Sequence, residues 1–229
     1  MEVKKNINAV TLMLTAVAGY CDTVTFVAGD NIFSAHVTGN FITFAYQMAI
    51  GGSAGAWIKL ITFPVFIIAV IVGGWMASKS QRKNTVLFIE AILLMIAGLL
   101  AFIFHLQQDQ KLIMYTIVMI VVFALGLQNA FGKLFSKETH GPTTMMTGNV
   151  TQASLDLGRI VFSKLQGADA MISFKKQMVT VSGFLLGCVA GAFAGREIGL
   201  SSLLFAGAAM LICYFLSDRK ASEIVKPEI

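Results

Sequence analysis

His36-Val37-Thr38-Gly39-Asn40-Phe41 and Met145-Met146-Thr147-Gly148-Asn149-Val150 share a Thr-Gly-Asn core about half a chain apart, each inside strongly apolar sequence. A polar triplet is costly to place in lipid. Its recurrence in matching surroundings predicts an internal duplication with one polar element in each half. Transporters and channels build a central site at a repeat interface in this way.

The match extends outward from the triplets. Gly19-Tyr20-Cys21-Asp22 falls on Gly126-Leu127-Gln128-Asn129. Phe66 to Lys79 resembles Gly183 to Arg196, with Gly74 on Gly191 and Lys79 on Arg196. Each half then ends in one more apolar run. The order is helix, Thr-Gly-Asn segment, helix, helix in both. Residues 1–107 form a first membrane repeat and 108–229 a second, together one transmembrane domain.

Composition sets the class. The 229 residues are 56% hydrophobic and 13% charged, with mean hydropathy +0.77. Soluble domains carry about 25% charge, so there is too little polar surface here to cover a soluble globule. Apolar runs at 9–28, 60–78, 85–104, 112–131, 177–195 and 198–216 approach the ~20 residues that span a bilayer. Continuous runs favour helices over barrel strands, which would alternate. The expected fold is therefore an all-α integral membrane protein of about six transmembrane helices in two repeats.

The net charge of +5 sits in short loops and tails, which reads as topology and not as nucleic-acid binding. Cys21, Cys188 and Cys213 lie in apolar runs without a Cys-x-x-Cys pair, as small packing residues would. Ala16-Val17-Ala18 resembles a signal-peptidase site, but the apolar run continues past it into duplicated sequence, so it is read as part of a span. The same charge bias places both termini on the cytoplasmic side of the membrane.

Charge also bears on whether the triplet segments cross the membrane. If they are re-entrant, each half has three crossings and the repeats are inverted. With the N-terminus inside, Lys59, Lys111 and Arg196 are then the only positive residues outside. If they cross, the loops carrying Lys79, Arg82 and Lys83, and Lys133 and Lys137, move outside as well. The positive-inside rule prefers the inverted arrangement. In it, two half-helices enter from opposite sides and meet near the midplane, where helix ends can present backbone groups to a solute.

The expected site residues are Asp22, Thr38, Gly39, Asn40, Thr43, Gln47, Asn129, Thr147, Gly148, Asn149, Gln152 and Asp156. Asn40, Thr43 and Gln47 recur at helical spacing, as do Asn149, Gln152 and Asp156, so each trio shares one helix face. Such a stripe faces the bundle interior or a cavity; interhelical hydrogen bonding alone would account for it too. Asp22 is an intramembrane carboxylate and a functional candidate by default. Glu90, near the start of its span, is expected at the interface, and His36 as a loop histidine. Gly39 and Gly148 are expected to permit a tight turn or close approach, and Thr38 or Asn40 to cap a helix. Pro64 is expected in the first turn of its helix, where proline is tolerated. Trp57 and Trp75 suit interfacial anchors. Gly183, Gly187, Gly191 and Gly195 form a small-residue face for close helix approach, within the chain or in a homodimer.

Gly19-Tyr20-x-Asp22, Gly126-x-Gln128-Asn129-Ala130 and the two Thr-Gly-Asn triplets resemble the YoaK-type bacterial membrane proteins, the DUF1275 family, over roughly 9 to 216. The resemblance implies a multi-pass membrane protein without an assigned biochemical activity. Asn129 departs from an Asp-like position, which rests any charge-dependent chemistry on Asp22 and Asp156.

The first functional expectation is a transporter or channel for a small solute, with the site between the repeats and a proton or cation as coupling ion. The other is a membrane scaffold or assembly partner that transports nothing. Neither needs a cofactor, a metal or nucleic acid; the lipid bilayer is the certain partner. No catalytic constellation or phosphate-cradling loop stands out, so an enzyme is not expected.

Overall fold

The computed structural model describes residues 2–51, 54–79, 84–104, 110–136, 138–162 and 167–223. The loop residues Gly52, Ser53 and Ser80, the basic residues Arg82, Lys83 and Lys137, and His105 lie outside the described residues. All regular structure among the described residues is helical: α1 (Glu2–Ala28), α2 (Gly39–Ala49), a 3-10 turn (Ala54–Trp57), α3 (Ile58–Lys79), α4 (Thr85–Ile103), α5 (Lys111–Leu134), α6 (Met146–Phe162), α7 (Ala168–Ile198), a second 3-10 turn (Gly199–Ser202) and α8 (Leu203–Glu223).

Five stretches are long and apolar enough to cross a membrane: Ile7–Ala28, Gly55–Lys79, Thr85–Ile103, Lys111–Leu134 and Ala168–Ser217. The last is 50 residues long and contains α7 and most of α8, which part where Gly199 takes φ +67°. Large apolar side chains cover the outside of these helices, among them Ile71, Trp75, Leu186 and Phe193. A surface of that kind suits lipid and not water. Helix α2, with 11 residues, reaches about 16 Å at 1.5 Å per residue, half of a ~30 Å hydrocarbon core.

The core lies where α1, α4, α5 and α8 come together, and the two halves interleave there. Helix α1 packs mainly on α7, and α3 mainly on α5, while α4 pairs with α8. Helices α1 and α5 run antiparallel. Gln128 late in α5 donates to the Leu14 carbonyl at 2.8 Å, and Gly29, just past the end of α1, meets Val118 early in α5.

The glycine face of α7 is taken by α1. A Cβ on Gly187 would lie 2.0 Å from the Ala16 carbonyl oxygen, and one on Gly191 2.5 Å from that of Tyr20. Gly183, Gly187, Gly191 and Gly195 are all buried inside the chain. Of the two partners expected for this face, within the chain or in a second copy, it is backbone of the same chain that packs on it.

The expected register of the second match is also off by one. Gly74 faces open space, whereas a Cβ on Gly73 would sit 2.8 Å from Ala130 and 3.4 Å from Leu127. Leu127 is the counterpart of Tyr20, which meets Gly191. Gly73 is thus the packing equivalent of Gly191, and Ala69, Gly73 and Ala77 continue the small-residue face in α3. Pro64 falls inside α3 and not in its first turn, because the helix begins at Ile58. The Leu60 carbonyl there loses its helical donor.

Candidate functional site

Asp22 organises the non-helical segment between α1 and α2. It is buried, and its Oδ1 accepts from the Ala35 amide at 2.7 Å and the His36 amide at 3.3 Å. Its Oδ2 lies 2.7 Å from His36 Nδ1. The His36 side chain is 34% exposed and stacks edge-on against Phe184 of α7, with ring centroids 5.3 Å apart. The hydrogen bond to Asp22 raises the His36 pKa above its usual value, against the opposing effect of burial. His36 lies in the non-helical segment, as expected, and is there the partner of the buried Asp22 carboxylate.

The same segment is closed at its other end by Asn40. The amide of Phe33 donates to Asn40 Oδ1 and Asn40 Nδ2 donates to the Phe33 carbonyl, both at 2.8 Å. Asn40 Nδ2 also reaches Thr62 Oγ1 of α3 at 3.0 Å. Asp30 and Asn31 turn the chain out of α1 with φ of 60° and 56°, a conformation that Asp and Asn tolerate because their short side chains bond locally. Lys59, expected outside the membrane, is fully buried and donates to the carbonyls of Asp30 and Asn31. Tyr115 of α5 donates to Asp30 Oδ2 at 2.9 Å.

The second half repeats this plan with neutral groups. Asn129 Nδ2 donates to Thr144 Oγ1 at 2.7 Å, and Gln128 Nε2 to Thr143 Oγ1 at 2.9 Å. Asn149 Nδ2 donates to the Pro142 carbonyl at 2.9 Å. Pro142 stands where Phe33 stands and has no amide hydrogen, so the two-way clamp of the first half becomes one bond here. Gln152 donates to Asp156 Oδ1 at 2.9 Å, and Arg159 lies 3.7 Å from the same oxygen. Asn149, Ala153 and Asp156 form the buried face of α6, which packs on α7. A pocket of about 530 Å³ opens nearby, lined by Thr139, His140, Asp169, Lys176 and Gln177 among others. Burial and the Lys176 charge lower the His140 pKa.

The expected site residues form two groups. Helix α2 packs on α3 and the first 3-10 turn, α6 packs on α7, and α2 and α6 do not touch. The expected meeting of two half-helices near the midplane is corrected accordingly. Thr43 and Gln47 are half-buried, and Thr43 Oγ1 bonds the Asn40 carbonyl at 3.2 Å within its own helix. Thr38 and Thr147 are exposed, and Thr38 makes no side-chain capping bond. Gly39 and Gly148 lie in the first turns of α2 and α6 with φ outside the left-handed region. A Cβ on Gly148 would meet open space, so neither turn nor packing demands glycine there; one on Gly39 would lie 3.0 Å from the Phe33 ring. Glu90, expected at the interface, is fully buried. Among the described residues no three His, Cys, Asp or Glu side chains gather as metal ligands would.

Sequence reasoning missed Lys59, Tyr115 and Asp30 as members of the polar network. The signal for them was Gly29-Asp30-Asn31, a helix-stopping run that leaves carbonyls in need of donors.

No curated protein and no solved structure matches the chain. The family description protein of unknown function DUF1275 matches residues 10–216. The span covers both triplets and both polar networks, and the chain belongs to the DUF1275 family.

Proposed function

We propose that this chain is a transporter or channel for a small solute in a cytoplasmic membrane. Six helices, α1, α3, α4, α5, α7 and α8, cross in two inverted repeats with both termini cytoplasmic. The antiparallel course of α1 and α5, the counterparts in the two halves, supports the inversion. So does the reciprocal packing of α1 on α7 and α3 on α5. The short α2 supports re-entry over crossing.

The observation that carries the reading is the Asp22–His36 pair. Non-helical backbone within a membrane protein is tolerated where protein or a water-filled cavity surrounds it. Residues 29–38 run through such a place, anchored to a buried carboxylate whose histidine partner remains partly open. A histidine poised on a carboxylate exchanges a proton near neutral pH. In this reading the first half handles the proton and the second, with Asn129 and Thr144, holds the equivalent backbone without charge.

Transport requires water to reach the polar faces of α2 and α6. The test uses a cysteine-free background with single cysteines at Thr43 and Gln152. Membrane-impermeant thiol reagents are applied to sealed vesicles of each orientation. Labelling of Thr43→Cys from one side and of Gln152→Cys from the other is the expected result. Protection of both positions from both sides would sink the transport reading and leave a scaffold.

A further inference from the structure

Helix α4 buries one face against α5 and α8, and that face is apolar at Leu87, Ala91, Leu94 and Ala97. Glu90 lies in the middle of it. The side chain is fully buried, and neither Oε1 nor Oε2 has a hydrogen-bond partner. Among the described residues no ion pair to it is formed. The buried residues of α5 carry no charge, and Lys59 of α3 is engaged by Asp30 and Asn31. Among the described residues, two thiols lie within electrostatic reach of it, Cys21 of α1 and Cys213 of α8. Both are fully buried.

An ionised carboxylate without partners in such surroundings costs far more than a neutral acid. Both of its carboxyl oxygens are shut off from solvent. Just along α4 a Cβ on Gly98 would lie 2.5 Å from the Leu204 amide nitrogen, and across the contact one on Gly207 would lie 2.8 Å from that of Met95. The two helices are therefore in backbone contact within two to three turns of Glu90. Cys21 of α1 lies within electrostatic reach of both Glu90 and Asp22.

We propose that Glu90 is a second proton-binding site, distinct from Asp22–His36. It keeps its proton while α4 and α8 are closed on one another. It releases the proton when their separation lets water reach the carboxyl. The ligand is the proton itself, and the proposal stands whether or not the chain moves a solute.

Infrared spectroscopy of the full chain in lipid vesicles reads this directly. At neutral pH exposed glutamates are ionised. A protonated carboxyl band that shifts on 13C-carboxyl labelling of glutamate belongs to a glutamate and not to an aspartate. Loss of that band in Glu90→Gln, an uncharged near-isostere, assigns it to Glu90. The expected result is a band present at pH 7 that shifts in D2O and disappears reversibly as pH is raised. Absence of the band at pH 7 would show an ionised carboxylate and overturn the proposal. A band that neither exchanges with D2O nor titrates would mark a sealed structural acid, which overturns it equally.

Discussion

Asp22 accepts two amide hydrogens and the His36 ring from one buried position. Asp22→Ala leaves buried amides without acceptors, at roughly 1–3 kcal/mol each. The expected outcome is a lower melting temperature and faster proteolysis of residues 29–38. Asn40→Ala should cost more than Asn149→Ala, because Asn40 makes a two-way clamp plus a bond to Thr62 and Asn149 faces a proline. A difference of about 1–2 kcal/mol between the two variants follows from typical net hydrogen-bond values, and denaturation of the purified proteins measures it. The histidines should act in opposite senses. His36 has a raised folded-state pKa, so its contribution is full below about 6.5 and fades as pH rises through the higher folded value. His140 has a lowered one, so its contribution is full above about 6.5 and fades as pH falls. His36→Gln should flatten the alkaline loss of stability and His140→Gln the acid loss, read from melting curves across pH 5 to 9.

Helix-scale packing gives a sharper test of register. Gly73→Ala places a methyl group 2.8 Å from Ala130, while Gly74→Ala places one in open space. The first should destabilise by about 1–3 kcal/mol, as overpacking typically does. The second should be neutral or slightly stabilising through helix propensity. Equal effects would contradict the packing of α3 on α5. At this scale much was legible in the sequence, since helices α1, α3, α4, α5, α7 and α8 fall on the predicted apolar runs. The polar faces of α2 and α6 followed from spacing, and Asn149 and Asp156 do turn inward. What spacing could not carry is which neighbour a face meets. The alignment put Gly74 on Gly191 because identical residues attract an alignment, whereas packing pairs the residues that share a close approach. Glu90 was misjudged for a related reason: distance from a helix end says little about depth when α8 folds over that end. The Asp22–His36 bond was hidden because it needs the chain to turn back after Asp30.

On the scale of the whole molecule, the proposed repeats differ in charge. Asp22 with His36 faces Asn129 with Thr144. Removing the charge at Asp22 should therefore cost more than adding one at Asn129, since Asn129 is half-buried and Asp22 buried. The interleaving of α1 with α7 bears on how the protein is made. During synthesis α1 reaches the bilayer first, while its main neighbour emerges only after most of the chain has been translated. Until then the Tyr20 hydroxyl lacks the Ser202 carbonyl it donates to, and a nascent chain halted before α7 holds that polar group unmatched. Quality-control proteases that recognise exposed polar groups in membrane helices thus have a natural mark of incomplete chains. The two halves, expressed as separate polypeptides, should be degraded alone and rescued together.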